Sequence, residues 1–416
     1  GAPGLGYIRE WLIKNHRIIA SVDLHVDTFQ PRNGTQTSVL FLQKKTQEQP
    51  KKKVPYTHRT CNEVASRRTE IILPQIKGFN CYKADFHTHT SYSDGVVSPA
   101  GRVDEAWYEG LDIIAITDHL ENRSGERKML KVLAPYNKNG KPRAAIPAGS
   151  VRMPKDGKDP GIKADFNAIH REAESRNESK GYGLLLVKGC EMARPKIGHY
   201  NALFITDARE IYNKDLKEAL RNVQKQGGIA IHNHPGNTDK YETEWHESLR
   251  KEGLIQGYEV ANGYTYYPAI QNRCIDENLT MFGNTDTHGV TAHRYATNGF
   301  YRTMTIVLAK ELTEKAVKDA LLKHRTIVYS GGDLIGDAMW LKEFLNAAVN
   351  CQISMVDKEA GKRVFVLTNN SSITLRLRRG KSTYVLQPFQ AINIGFGKDK
   401  KSGKFVKPNF YVENMW

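Results

Sequence analysis

Tyr82-Lys83-Ala84-Asp85-Phe86-His87-Thr88-His89 decides how the rest of the chain is read. A β-prone run ends on two histidines two residues apart, and the period of two in an extended chain puts both imidazoles on one side. Two ring nitrogens on one side can reach a single ion. His-x-His alone is a weak signal, because solvated or core histidines give the same pattern. Its weight depends on whether other strand ends repeat it.

They do. Between about residues 71 and 335, β-rich runs (82–87, 112–117, 183–189, 199–205, 228–232, 257–261, 280–284, 303–308 and 326–329) alternate with amphipathic helical stretches (102–109, 165–176, 214–226 and 313–324). The alternation predicts βα units on a parallel sheet or barrel, with functional residues gathered at the C-terminal strand ends. There the second run finishes Thr117-Asp118-His119 and the third Gly189-Cys190-Glu191. The next begins at His199; then come His232-Asn233-His234-Pro235 and Asp286-Thr287-His288, which repeats the i, i+2 spacing. Asp94 follows the first run in a Ser93-Asp94-Gly95 turn.

Taken singly, each residue fits a solvated cap or a turn carboxylate. Together, His87, His89, Asp94, His119, Glu191, His199, His234, Asp286 and His288 put nine nitrogen or oxygen ligands on the strand ends of one barrel. Nine exceeds the roughly four to six that one ion takes and suits two or three ions sharing a carboxylate. Imidazole and carboxylate without thiolate select Mn, Zn or Fe(II). Asp118, on the opposite side of its strand from His119, is expected to orient a ligand.

The flanks read differently. Residues 5–16 have helical spacing and 18–24 and 37–42 are β-like, so residues 1–47 form an appended helix-hairpin; the Lys/Gln-rich stretch 48–70 reads as a linker. The barrel spans 71–335, with an insertion loop at 124–163, and 336–416 holds a linking helix near 334–349 and a small antiparallel β module. The formal charge of +16 lies at the ends: residues 1–80 carry 13 Lys/Arg against 6 Asp/Glu, 341–416 carry 13 against 5, and the middle 35 against 34. A neutral barrel with diffuse basic ends argues against a nucleic-acid partner. No apolar run approaches the roughly 20 residues of a membrane span, which excludes a helical channel or transporter. Five scattered cysteines without a Cys-x-x-Cys pair exclude a disulfide framework or thiolate zinc site. No internal repeat, phosphate-cradling glycine loop or Gly-x-Ser-x-Gly elbow occurs. The chain starts at Gly1 with no charged-then-apolar leader, leaving the compartment open between periplasm and cytoplasm and the oligomeric state unread.

In this order, His87-x-His89 with Asp94, Thr117-Asp118-His119, Gly189-x-Glu191, His199, His234-Pro235 and Asp286-x-His288 resemble the PHP (polymerase and histidinol phosphatase) superfamily of metal-dependent phosphoesterases. The resemblance covers about residues 71–335 and implies a distorted (βα)7 barrel. It implies one ion on His87, His89, Glu191 and Asp286, a second on Glu191, His199 and His234, and a third on Asp94, His119 and His288. Arg67-Arg68-Thr69-Glu70-Ile71-Ile72-Leu73-Pro74, Arg102 to Trp107 and Gly198-His199-Tyr200-Asn201-Ala202 resemble its Sb-PDE-type phosphodiesterase branch, whose members commonly carry an export signal before the segment matching Arg67. Residues 4–46 resemble a fragment of the large subunit of type I restriction adenine-N6 methyltransferases, on Tyr7 to Trp11, 18–24, Thr28-Phe29 and 37–42. The cofactor-binding glycine strand end and the Asn-Pro-Pro-aromatic motif of that family are missing, so no methyltransferase activity is expected.

The function expected is hydrolysis of small phosphodiesters, with two metal ions sharing Glu191, Asp286 on one of them, and a bridging hydroxide as nucleophile. Arg123 and Arg194, just past ligand motifs, are candidates for the phosphate, and His232 for the leaving-group acid. The alternatives are a histidinol-phosphate-type monoesterase, a PHP exonuclease, or a non-catalytic metal-binding module.

Overall fold

The computed structural model describes residues 16–24, 37–44, 68–121, 166–194, 197–236, 243–295, 298–357, 359, 361–398, 402–406 and 408–416. The expected helix at 5–16, the linker up to residue 67, Arg123 and the loop 124–163 lie outside the described residues. Two compact units are formed: 67–348 with 412–416, and 349–411 with the described part of 1–66. In the latter, β1 (His16–Leu24) and β2 (Thr37–Lys44) make an antiparallel hairpin, His16 opposite Lys44 and Leu24 opposite Thr37.

The larger unit is built from β3 (Asn80–Asp85), α1 (Pro99–Tyr108), β4 (Ile113–Ile116), α2 (Ala168–Lys180), β5 (Leu185–Arg194), β6 (Gly198–Leu203), α3 (Leu216–Lys225), β7 (Ile229–Asn233) and α4 (Glu244–Lys251). It continues through β8 (Gly257–Asn262), β9 (Thr265–Tyr266), α5 (Pro268–Asp276), β10 (Thr280–Asn284), α6 (Thr291–Tyr295), β11 (Met304–Ala309), α7 (Glu314–Leu322), β12 (Thr326–Ser330), β13 (Asp333–Gly336) and α8 (Ala338–Ala348). The strand order is β10-β8-β7-β6-β5-β4-β3-β11-β12-β13, with β9 paired to β8. Strands β3, β4 and β5 run parallel, as do β7, β8 and β10, but β6 is antiparallel to both its neighbours. These seven strands form the wall of the TIM-like barrel; β11 to β13 extend it as an antiparallel flap beyond β3.

The wall curls until its ends meet. Asp286 N–H donates to His87 O (2.9 Å), and His89 N–H to Thr287 O (3.1 Å), which ties the segment after β3 to the segment after β10. Gly283 in β10 exchanges hydrogen bonds with Thr305 Oγ1 of β11, and a Cβ on it would run into Val328 of β12. Only glycine lets β10 lie that close. The distortion of the barrel is therefore specific: one reversed strand, and a seam closed by loops and side chains.

Local signals position the helices. Ser98 caps α1 by accepting from Gly101 N–H, with Pro99 at the first turn, and Asp215 caps α3, whose apolar face is Leu216, Ala219, Leu220 and Val223. Alternation along β7 divides the core: Ile229 and Ile231 join the cluster with Phe86 and Phe282, while Ala230 packs with Tyr200 and Tyr258 on the other face.

The smaller unit adds β14 (Val349–Asp357), β15 (Lys362–Asn369), β16 (Leu375–Arg379), β17 (Ser382–Leu386) and β18 (Ala391–Phe396), with β14-β15-β18 one antiparallel sheet and β16-β17 paired in another. Strand β14 was not expected, although Val349, Cys351, Ile353 and Met355 alternate with Asn350, Gln352 and Ser354; most of its residues are exposed. No helix among the described residues is long and apolar enough to cross a membrane. Cys81, Cys190, Cys274 and Cys351 are free thiols.

Candidate metal centre

All nine side chains singled out as ligands converge on the barrel mouth. Parallel strands deliver theirs from C-terminal ends: His87 and His89 follow β3, His119 follows β4, His234 follows β7, and Asp286 and His288 follow β10. Reversed β6 delivers His199 from its start, because an antiparallel strand begins where its neighbours end. His87 and His89 lie past the last strand residue, so the loop pairing with Thr287, rather than strand periodicity, sets their shared orientation. Their Nε2 atoms are 3.1 Å apart. His234 and Asp286 take positive φ (28° and 50°), a backbone region that costs non-glycine residues energy and recurs where side chains are aimed at a site.

Glu191, with none of its surface exposed, is the centre of the arrangement. Its Oε1 lies 3.1 Å from His199 Nδ1, 3.5 Å from His87 Nε2 and 3.7 Å from His234 Nε2. Its Oε2 lies 2.9 Å from His119 Nδ1 and 3.4 Å from His89 Nε2. Asp286 Oδ1 is 3.2 Å from His87 Nε2 and 3.1 Å from His89 Nε2, and Asp94 reaches His119 (3.4 Å) and His288 (3.3 Å). Ligand atoms lie within 4.8 Å of one another in four groups: His87, His89 and Asp286; His87, Glu191 and His234; His119, Glu191 and His199; and His89, Asp94, His119 and His288. His87, His89 and His119 thus each join a group beyond the partition that the resemblance implied.

Electrostatics agree with a site for cations. Burial by itself would raise the Glu191 carboxyl, but the surrounding imidazoles hold it well below the usual carboxylate range. Burial likewise opposes charge on His119, yet Asp94 and Glu191 push it up to about 10. Buried His89 Nδ1, His119 Nδ1 and Glu191 Oε2 make no aligned hydrogen bond among the described residues. Buried polar atoms left this way call for a partner, and divalent cations fit this donor set.

Glu259 was missed. The carboxylate is buried within β8, between Tyr258 and Val260, and accepts from His87 Nδ1 (2.8 Å), Asn284 Nδ2 (2.9 Å), His234 N–H (2.7 Å) and Asn262 Nδ2 (2.9 Å). By engaging Nδ1 it leaves Nε2 of His87 turned to the cluster. The signal was present: an acid between tyrosine and valine in a run that reads as core. Asn233 Nδ2 similarly donates to Glu191 Oε1 and Asn201 Oδ1, both at 2.8 Å. Asp118 accepts from Thr90 N–H and Oγ1 and from Ser93 Oγ, so it braces the loop carrying His89 and Asp94.

Two expectations are corrected. His232 does not reach the cluster: β7 alternation turns Asn233 inward and His232 outward, where it stacks on Tyr200 (4.5 Å) and near His246 (5.7 Å). Burial holds it well below the ordinary histidine range, as a neutral packed ring. Arg194 alternates to the face opposite Glu191, and its guanidinium is taken up by Glu121 and the Asn213 carbonyl. Arg123 lies outside the described residues.

The chain is similar to a two-domain protein of Bacteroides vulgatus ATCC 8482 containing a predicted PHP-like metal-dependent phosphoesterase: 32% identity over 84% of this chain and 96% of that one, TM-score 0.69. The chain belongs to the PHP superfamily. A candidate metal-dependent phosphoesterase of Bifidobacterium adolescentis ATCC 15703 is a more distant structural neighbour (17% identity, 58% and 96% covered, TM-score 0.33). Endonuclease Q bound to a 27-mer duplex with an abasic lesion is as distant (15% identity, 62% and 60% covered, TM-score 0.37). No protein-family profile and no curated protein matched. PHP membership and the four ligand groups support metal-dependent hydrolysis of phosphoesters at that general level.

Proposed function

We propose that the chain is a phosphodiesterase acting on small diesters, with two or three divalent ions (Mn, Zn or Fe) held by His87, His89, Asp94, His119, Glu191, His199, His234, Asp286 and His288. The observation that carries this is Glu191, whose two oxygens face different sets of imidazoles, so that one buried carboxylate serves adjacent cation positions. When bound, the ions supply Lewis acidity, lowering the pKa of water and offsetting charge on the phosphoryl oxygens. The chain's part is positioning. His87, His89 and Glu191 form a closed floor at 0–1% exposure, whereas Asp94 (34%), His199 (36%) and His288 (42%) form the open side through which a substrate enters. Glu259 fixes the His87 ring, Asn233 fixes Glu191, and Asp118 fixes the loop bearing Asp94.

The balanced charge of the barrel segment supports a small diester over a long polyanion. The test is metal content by elemental analysis after reloading stripped protein with Mn(II) or Zn(II), paired with turnover of bis(p-nitrophenyl) phosphate, p-nitrophenyl phosphate and an oligonucleotide. The expected result is about two or more ions per chain and at least about tenfold preference for the diester. Fewer ions, or a diester hydrolysed no better than the monoester, would overturn the proposal.

A further inference from the structure

The barrel mouth carries a second concave feature. A cavity of about 420 Å³ is walled by Tyr264, Tyr266 and Phe300 and edged by Asn298, Ser330 and Asp333. That size suits a small organic group. It begins beside the ligand cluster: Asn262 donates to Glu259 Oε2 and, at 3.3 Å, to Asp286 Oδ2; Gly263 follows, and Tyr264 starts the wall. Successive Cα atoms are about 3.8 Å apart, so wall and cluster are within roughly 8 Å along the backbone.

Two glycine positions shape the space. The β12–β13 turn is Gly331-Gly332, both at positive φ (59° and 91°), between the paired residues Ser330 and Asp333. A Cβ on Gly332 would fall 2.7 Å from the Phe300 ring, and one on Gly331 3.7 Å from the Tyr264 ring, so a side-chain-free tip lets both rings close on it. Phe300 keeps 42% of its surface exposed, a large flat apolar face open to solvent.

Arg294 joins the two features. Its guanidinium lies against Gly263, where a Cβ would collide with it, and 5.8 Å from the centre of the Tyr264 ring. The residue is exposed and forms no ion pair among the described residues. An uncommitted guanidinium between a cation-binding cluster and an aromatic cavity is placed for an anion that touches both.

Building on the phosphodiesterase reading, we infer that the cavity holds the organic group that stays on the phosphate, a planar aromatic or heterocyclic ring, while Arg294 pairs with a non-bridging phosphoryl oxygen. A diester needs room for a second organic group, and a monoester does not. In the reaction, water gives its oxygen and one proton to the phosphoryl group as the P–O bond to the departing group breaks. The departing oxygen takes the other proton and leaves as an alcohol or phenol. The monoester product keeps its ring between Tyr264 and Phe300, and Ser330 and Asp333 offer acceptors to N–H groups on a heterocycle's edge.

The test compares kcat/KM for bis(p-nitrophenyl) phosphate and methyl p-nitrophenyl phosphate, which release the same nitrophenolate and differ only in the retained group. Phe300→Ala should cut the ratio of the two about tenfold and Phe300→Trp should preserve it; Arg294→Ala should raise KM for both. Diester turnover with a ratio moved less than about twofold by Phe300→Ala overturns the cavity assignment and leaves the activity standing. Calorimetric binding of phenylphosphonate against methylphosphonate to metal-loaded protein reads the same preference without turnover, with circular dichroism confirming that each variant is folded. Equal binding of the two phosphonates overturns the cavity assignment. A phenyl preference lost in Phe300→Ala, in protein that hydrolyses neither diester, supports the ring site and overturns the phosphodiesterase reading instead.

Discussion

Replacing Glu259 by Gln removes one charge and almost no volume, which makes it a sharp probe of the centre. The carboxylate accepts four hydrogen bonds, two on each oxygen: His87 Nδ1 and Asn284 Nδ2 on Oε1, His234 N–H and Asn262 Nδ2 on Oε2. An amide has one oxygen and one NH2, so either orientation sets an NH2 against two donors. With about 1–3 kcal/mol for each buried donor left unpaired, the cost is roughly 2–6 kcal/mol. His87 can relieve part of it by turning Nδ1 into an acceptor, but the ring proton then moves to Nε2, the nitrogen that faces Glu191 and Asp286. The fold or the cation site must therefore suffer. The expected loss of metal affinity is about 10- to 100-fold, the range for partners that orient a ligating imidazole. Competition with a chromophoric chelator measures it, and melting in EDTA separates the loss from instability. Glu247→Gln, on an exposed i, i+4 pair with Lys251, is the matched control. Wild-type metal affinity in Glu259→Gln, with a melting temperature within about 2 °C, would refute the reasoning.

Asp85→Asn removes the carboxylate that meets buried Arg302 and accepts from Thr285 Oγ1; Glu109 at 2.7 Å still pairs with Arg302, so urea melts should lose about 3 kcal/mol, the low end for breaking a buried pair, and a loss under 1 kcal/mol would contradict this. His232→Phe keeps an aromatic ring between Tyr200 and Tyr258 and should keep metal content and leave kcat within about threefold; a loss above about 100-fold in folded protein would restore His232 as a proton donor. In metal-free protein burial disfavours charge on His119, but Asp94 and Glu191 raise it to about 10, so it is protonated at neutral pH and cation binding must expel that proton. Apparent metal affinity should then rise from pH 6 to pH 8 with proton release detectable by calorimetry in buffers of different ionisation enthalpy; an affinity flat across that range would contradict it.

Most of the candidate ligands were legible because they stand at or just past the end of a β-rich run, with His199 at the start of one and Asp94 in a turn, where a residue that is costly to bury is conspicuous. His87, Glu191 and Asp286 stand out against apolar neighbours, and their order along the chain preserves the strand order of the barrel. Glu259 escaped because it lies within its β run rather than at the end of one; Tyr258 and Val260 mark the position as core, but the role emerges only when four donors arrive from the segments after β3 and β7 and from β8 and β10. His232 misled for a related reason. It lies two residues before His234, but the strand ends at Asn233 and a positive φ at His234 breaks the alternation, so the two rings part. The reversal of β6 was also hidden, since the runs read as 183–189 and 199–205 leave a gap of nine residues, whereas β5 continues to Arg194 and only three residues separate it from β6, a hairpin connection.

That reversal has a use. Because β6 starts at the mouth, the short connection there joins the paired ends Arg194 and Gly198 next to His199, whereas the longer route from β6 through α3 to β7 runs round the far end. Residues grafted into the first would fence the entrance without shifting any strand that bears a ligand. Residues grafted into the second would be silent toward whatever enters, making the pair of connections an internally controlled place to redesign selectivity.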